Sequence, residues 1–333
     1  MKHLFFSIAL TSILLSCNTT KETTKEKSVV TYANTITLNE LKTNLYTFAS
    51  DDFTGRETGE EGQKLAAEFL KKQYKDYGIQ SPIGNDDYFQ EIPKSFLPGG
   101  VKASENVVAY IEGTSKPDEI VVISAHYDHL GTDAVDIFNG ADDDGSGTVA
   151  VLEIAQAFKK AKNEGNGPKR SILFLHLTAE EKGLYGSKWY VQNPLFPLKN
   201  HVANLNIDMI GRVDDAHMRS KNYVYLIGSD KLSTELHNIS EQVNTEFVNL
   251  NLDYTYNDEN DPNRFYYRSD HYNFAKNNIP IIFYFNGVHK DYHKPTDTAE
   301  KINYELLTKR TKLVFHTAWE IANRENRVIV DIK

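Results

Sequence analysis

Five segments of the chain carry imidazoles and carboxylates at spacings that suit metal and proton chemistry. The first reads Ala125-His126-Tyr127-Asp128-His129, the second Asn139-Gly140-Ala141-Asp142-Asp143-Asp144-Gly145-Ser146-Gly147, and the third Thr178-Ala179-Glu180-Glu181-Lys182-Gly183. Asp208 with Met209 forms the fourth; His289, Tyr292 and His293 form the fifth. Zinc takes imidazole nitrogen and carboxylate oxygen, and two zinc ions about 3.5–4 Å apart can clamp a hydrolytic water between them. Such a pair needs a bridging carboxylate, further His and carboxylate ligands on each ion, and a base that is not itself a ligand. His126, Asp143, Glu181, Asp208 and His293 meet the first two needs. Glu180 meets the third: in extended chain neighbouring side chains point opposite ways, so one carboxylate ligates while the other faces the water.

Taken singly, each segment has a plainer reading. A histidine at a strand end is often only hydrogen-bonded, and Glu180-Glu181 alone reads as a solvated pair. The acidic run at 142–144 reads alone as a turn capping a helix through Ser146 or Thr148. A calcium loop is excluded there, because an EF-hand register puts Gly140 first and Val151 twelfth, where carboxylates are required. The metal reading rests on all the segments meeting at one place.

The pattern of elements predicts that meeting. Helical periodicity covers 38–50 and 60–77, the latter with a stripe of Leu65, Ala66, Phe69 and Leu70, and continues at 148–162, 184–192, 231–245, 270–277 and 304–323. Strand-like runs occupy 106–111, 119–124, 171–177, 202–207, 223–227 and 280–285. Residues 120–123 and 172–175 are apolar at consecutive positions, as expected of strands covered on both faces. The alternation predicts a single three-layer α/β domain with a central mixed, mainly parallel sheet flanked by helices. In such sheets ligands bind beyond the carboxyl ends of the strands, which is where the chemical segments fall. The polar, Tyr-rich stretch 246–268 reads as a long excursion. Its Tyr254, Tyr256, Phe265, Tyr266 and Tyr267 are placed to overhang the cleft as an apolar side-chain pocket.

Composition narrows the function classes. Across 333 residues, 40% are hydrophobic and 25% charged, a globular balance that rules out wholesale disorder. The formal charge of −9 argues against nucleic acid as a partner. A single cysteine excludes a disulfide framework and a cysteine-rich zinc site, so any metal must be held by His, Asp and Glu. That cysteine follows Met1-Lys2-His3 and an apolar run over 4–15, a secretory signal pattern too short to span a bilayer comfortably. Leu14-Leu15-Ser16-Cys17 resembles the bacterial lipobox, which implies a signal peptide over 1–16 and lipid attachment at Cys17. A polar tether is expected over 17–36 and the catalytic domain over 37–333. An exported lipoprotein, periplasmic or at the cell surface and membrane-anchored through Cys17, is the economical expectation, with no obligate protein partner implied.

Six motifs in order resemble one family: HYDHLG at 126–131, NGADDDGSG at 139–147, TAEEKGLYGS at 178–187, NIDMIG at 206–211, RSDHYNF at 268–274 and YHKPTDT at 292–298. They are similar to those of the co-catalytic dizinc exopeptidases, which include secreted bacterial leucyl aminopeptidases, glutamate carboxypeptidases and glutaminyl cyclases. The resemblance implies the zinc exopeptidase (phosphorylase/hydrolase-like) fold and two Zn²⁺ ions. His126 and Asp208 would hold the first ion, Glu181 and His293 the second, with Asp143 bridging and Glu180 as general acid/base towards a metal-bridging hydroxide. Asp128 would accept a hydrogen bond from the far nitrogen of His126, and Asp297 would orient the last histidine ligand. Arg268 and Tyr292 match positions that touch the substrate carbonyl or tetrahedral intermediate, with Asp270 as a supporting acid. The family often has a cis peptide after the bridging aspartate, which here is Asp143–Asp144.

The implied activity is removal of N-terminal residues from peptide substrates. A carboxypeptidase or dipeptidase on the same scaffold would need a cation for the terminal carboxylate, for which Arg56 and Arg264 are the possible anchors. Glutaminyl cyclases usually bind one zinc and lack the full ligand set. A non-catalytic surface binding protein would have lost ligands that are all present here. A zinc-scavenging lipoprotein would show a His-rich stretch, whereas these eleven histidines are scattered.

Overall fold

The computed structural model describes residues 29–332; the expected signal peptide, Cys17 and the tether up to residue 28 lie outside the described residues. Consecutive apolar residues build the middle of the sheet, because both of its faces are covered. The strands are β1 (Phe89–Ile92), β2 (Ser104–Ile111), β3 (Lys116–His126), β4 (Gly131–Thr132), β5 (Ile137–Phe138), β6 (Arg170–Leu177), β7 (His201–Ile207), β8 (Tyr223–Ile227), β9 (Asn251–Asp253) and β10 (Ile281–Phe285). The α-helices that cover them are α1 (Leu38–Phe48), α2 (Glu61–Asp76), α3 (Gly147–Asn163), α4 (Tyr185–Gln192), α5 (Thr234–Val243), α6 (His271–Ala275) and α7 (Tyr304–Asn323).

Eight strands pair in the order β1-β2-β6-β3-β7-β10-β8-β9, and β4 pairs with β5 as a separate ribbon. Within β3 the side chains alternate: Val121, Ile123 and Ala125 join the core with α1, α2, α3, α5 and α7, whereas Ile120 and Val122 join Tyr190 of α4 and Phe274 of α6. The result is the expected three-layer domain.

What matters for the site is that β6, β3, β7 and β10 are neighbours and all parallel. Their carboxyl ends therefore share one edge. His126 lies opposite Leu177, Ala125 opposite Ile207, and Tyr284 also opposite Ile207. With adjacent strands about 4.8 Å apart, the residues that follow each strand are held within reach of one another.

Three expectations change. Residues 29–33 are helical, and Val29, Tyr32, Ala33 and Ile36 are buried. Tyr32 stacks on Trp319 at 5.6 Å and its hydroxyl donates to Glu164 at 2.8 Å. These four residues recur at i, i+3, i+4 and i+7, a helical stripe that the surrounding Thr, Lys and Glu hide from a reading by composition. The segment 29–36 thus belongs to the folded domain rather than to a tether, and the domain includes residues before 37. Second, α2 turns Ala66, Ala67, Leu70 and Tyr74 inward while Leu65 is 47% exposed, so its buried stripe is rotated from the expected one. Third, β1, the β4–β5 ribbon and β9 were not expected from the sequence pattern; each is only two to four residues long.

One helix contact makes a measurable difference to stability. Glu153 of α3 is 1% exposed; its Oε1 accepts from Asn44 Nδ2 of α1 at 3.0 Å, and its Oε2 has no hydrogen-bond partner among the described residues. Burial, reinforced by Glu40, raises its carboxyl from 4.5 to about 8. The folded protein thus keeps a proton that the unfolded chain releases, so stability falls as pH rises from about 4.5 to about 8. Glu153→Gln keeps the neutral shape and should raise unfolding free energy at pH 7 by on the order of 3 kcal/mol, with little change at pH 4. Urea melts at the two pH values test this; an equal shift at both would contradict it.

Candidate metal centre

The edge formed by β6, β3, β7 and β10 collects the residues singled out by type. His126 is the last residue of β3, and its Nδ1 lies 3.0 Å from the backbone oxygen of Asp128. With Nδ1–H donating there, Nε2 presents its lone pair inward. That Nε2 is 3.1 Å from Asp143 Oδ1 and 3.6 Å from Asp208 Oδ1. On the other side of Asp143, Oδ2 is 3.1 Å from His293 Nε2, which is in turn 3.3 Å from Glu181 Oε2. The two oxygens of Asp143 thus face two different imidazoles. His126, Asp143, Glu181, Asp208 and His293 are brought together as one cluster.

The backbone makes unusual turns to achieve this. The Asp143–Asp144 peptide is cis, as expected. Ala179, Met209 and His293 all have left-handed backbone, at φ of 54°, 64° and 55°. Non-glycine residues seldom adopt this conformation, and here it falls beside or on the cluster at three chain segments.

Supporting groups use different atoms from those expected. The carboxylate of Asp128 lies 3.8 Å from His126 Nδ1, and it accepts instead from the Thr58 hydroxyl at 2.7 Å and the Glu180 backbone N–H at 3.1 Å. Asp128 therefore orients His126 through its main chain and ties the Glu180 segment through its side chain. Asp297 is not seated on His293. Its Oδ2 accepts from the backbone N–H groups of Asp142 and Asp143 at 2.9 and 3.2 Å, and Arg212 approaches its Oδ1 at 3.6 Å. It positions the central aspartate rather than the last histidine. Asp270 is buried and accepts from the Ser187 hydroxyl, while Arg268 lies over the Phe265 ring at 5.0 Å.

Several participants had no role assigned from sequence. His129 is fully buried with Nδ1 2.9 Å from Glu181 Oε1 and 3.8 Å from Asp143 Oδ2. Asp144 places Oδ1 on the backbone N–H groups of Met209 and Gly147 at 2.9 and 3.0 Å, joining the end of β7 to the start of α3. His289 pairs with Asp142 at 3.1 Å. The signal for His129 was its place in HYDH, three residues after His126; the others belong to a hydrogen-bonded frame that spacing does not reveal.

The electrostatics call for cations. Burial opposes ionisation of Asp143 and Glu181, yet the imidazoles around them hold Asp143 well below the usual range and Glu181 at about 2. Burial lowers His293, but Asp143 and Glu181 more than offset this and lift it to about 10. Glu180 goes the other way: burial, with Asp208, Glu181 and Asp270 nearby, raises it well above its ordinary value despite His126. Burial likewise brings Asp270 to about 7 and Asp297 to about 6. Several carboxylates buried together are costly unless compensated by positive charge. His129 Nδ1, Glu181 Oε1 and Asp144 Oδ2 have no hydrogen-bond partner among the described residues. Zinc bonds of 2.0–2.1 Å put tetrahedral ligand atoms about 3.3 Å apart, close to the 3.1–3.6 Å spacings of His126, Asp143, Glu181, Asp208 and His293. The donor set fits divalent metal.

A cavity opens onto the cluster. Asp143, Glu180, Asp208 and His293 line it together with Met209, Phe265, Phe283, Phe285, Val288, Arg268 and Tyr292. Tyr292 stacks on His293 at 3.8 Å. Of the expected aromatic overhang, only Phe265 lines this cavity; Tyr256 supports it from behind at 4.7 Å, and Tyr254 donates to Glu241 of α5. Phe283 and Phe285 of β10 supply the other aromatic rings of the apolar wall. Neither proposed carboxylate anchor reaches it. Arg56 is buried and donates to the backbone oxygens of Tyr127, Phe48, Asn139 and Gly140, and Arg264 lies over Tyr267, outside the cavity.

Comparison with known proteins agrees with this arrangement. The chain is 27% identical over 304 residues to a probable leucine aminopeptidase of Arthroderma benhamiae, covering 86% of this chain and 74% of that one. Its fold is similar to that of the LapA aminopeptidase of Legionella pneumophila, with a TM-score of 0.70 at 22% identity over 90% of this chain and 76% of the other. It is also similar to the glutaminyl cyclase of Porphyromonas gingivalis, with a TM-score of 0.64 at 19% identity over 84% and 97% of the two chains, so fold alone does not separate the two activities. Residues 106–318, well over half of the chain, match Peptidase family M28, and the protein belongs to that family as a metallo-exopeptidase.

Proposed function

We propose that the protein is a dizinc aminopeptidase that releases N-terminal residues with apolar side chains from peptides. The observation that carries this reading is Asp143, whose two carboxylate oxygens each lie 3.1 Å from a different imidazole, that of His126 and that of His293. His126 and Asp208 would hold one ion, Glu181 and His293 the other, and Asp143 would be shared. Zinc, when bound, supplies Lewis acidity that polarises a peptide carbonyl and lowers the pKa of water.

The remaining work falls to the chain. Glu180 lines the cavity without being needed as a ligand, so it accepts the proton of the attacking water and delivers it to the departing amine. The Tyr292 hydroxyl and the Arg268 guanidinium offer donors to the oxygen on which negative charge develops. Met209, Phe265, Phe283, Phe285 and Val288 receive the side chain. The carboxylates on the cavity floor suit a free ammonium, and Arg56 and Arg264, the cations considered for a terminal carboxylate, are engaged elsewhere.

Lipid attachment at Cys17 is proposed with it, so the activity should sediment with membranes and become soluble in Cys17→Ser. The experiment that decides function is digestion of a defined peptide mixture by the purified protein. Peptides with apolar first residues should shorten from the N-terminus, stop with a chelator and resume with zinc. Shortening from the C-terminus, or cleavage indifferent to chelator, contradicts the proposal.

A further inference from the structure

We infer that His129 is a fourth protein ligand of the second ion, through Nδ1, so that the two metal positions are unequal. This rests on the dizinc reading above. Three observations carry it. His129 is fully buried, yet neither ring nitrogen has a hydrogen-bond partner among the described residues. Its Nδ1 comes to the ion-pair distance of 2.9 Å from Glu181 Oε1, yet neither atom has a partner in hydrogen-bond geometry among the described residues. Such a pair is expected where both lone pairs point at a third body. Finally, His129, Asp143 and Glu181 offer ligand atoms that all lie within 4.8 Å of one another, with Nδ1 the nitrogen that approaches both carboxylates.

The ring is held in this attitude. The His129 backbone N–H donates to the Arg56 oxygen at 3.1 Å, which pins the segment. Gly140, with left-handed φ of 51°, lies against the ring; a Cβ there would come within 2.5 Å of His129 Cδ2 and Cγ. His293 meets the same ring edge-on at 5.9 Å. The two histidines thus flank Glu181.

The consequence is an asymmetry in ligand type. The first position takes one imidazole, His126, among the carboxylates of Asp208 and Asp143, and the buried Asp144, whose Oδ2 is unpartnered among the described residues, offers it a further oxygen. The second takes two imidazoles, His293 and His129, with Asp143 and Glu181, so it would be the richer in nitrogen.

Zinc K-edge absorption of the wild-type protein loaded with two ions reads this directly. Three histidines over two ions give about 1.5 imidazoles per zinc, whereas His126 and His293 alone give about 1. The second readout is stepwise removal of zinc by a graded chelator series. His129→Ala should release one ion at a chelator strength lower than wild type by more than the roughly 10–100-fold typical of losing an outer hydrogen-bond partner, and leave the other unchanged. A value near 1 imidazole per zinc overturns the inference, even if His129→Ala weakens binding, and so does an unchanged release profile in a folded variant. A wild-type protein that cannot hold two zinc ions instead strikes the dizinc reading itself.

Discussion

Glu180→Gln should lower kcat by roughly 10²–10⁴-fold while leaving zinc content and KM near those of the wild type. The substitution keeps the length and hydrogen-bonding shape of the side chain and removes only its ability to take up a proton. Glu180 and Glu181 are adjacent, yet their surroundings differ. Glu181 faces His129 and His293 at 2.9 and 3.3 Å, whereas Glu180 lines the cavity. Burial and the neighbouring carboxylates hold the Glu180 carboxyl well above 4.5, as suits a group that must both take and return a proton. Steady-state kinetics with an aminoacyl reporter, alongside elemental analysis, checks the split. Turnover equal to wild type in Glu180→Gln would remove Glu180 from the reaction.

Asp143→Ala should remove both activity and metal. Its carboxylate touches both halves of the cluster, so its loss leaves His126 with Asp208 on one side and Glu181 with His293 and His129 on the other, with nothing shared. Both ions should weaken together, by more than the roughly 10–100-fold typical of losing an outer hydrogen-bond partner. The backbone there is held independently by Asp297, which accepts from the N–H groups of Asp142 and Asp143. The variant should therefore fold, with the circular dichroism of the parent. Two zinc ions per chain retained in Asp143→Ala, measured by elemental analysis, would contradict the shared role. Glu180→Gln and Asp143→Ala thus separate proton transfer from metal binding.

The sequence was most legible where physics is local. Strands β3, β6, β7 and β10 announce themselves as short apolar runs, and their parallel pairing at the middle of the sheet makes each strand end a position at one common edge. That is why His126, Glu180, Glu181, Asp208 and His293 are recognisable as a group from the sequence.

It was least legible where one atom competes with another. Asp128 lies beside His126 as expected, but residue type does not say that the main-chain oxygen takes Nδ1 while the carboxylate takes Thr58. Asp297 is equally near the site and serves a different partner from the one assigned. The apolar wall escaped for another reason. Phe283 and Phe285 read as core strand residues, and only the register of β10 turns them into the cavity, while most of the tyrosines at 254–267 pack elsewhere. Arg56 was a possible anchor for a terminal carboxylate; burial and four backbone oxygens make it a structural clamp under the metal-facing loops. The segment 29–36 was hidden by composition, since four apolar side chains at helical spacing outweigh the charged residues around them once Trp319 is there to receive them.

The account stands on two cations sharing Asp143. Diffraction from crystals of the zinc-loaded protein, recorded on both sides of the zinc absorption edge, tests this most directly. Two anomalous peaks about 3.5–4 Å apart, one against His126 and Asp208 and the other against Glu181 and His293, are the predicted result. A single peak, or none within bonding distance of Asp143, would contradict it.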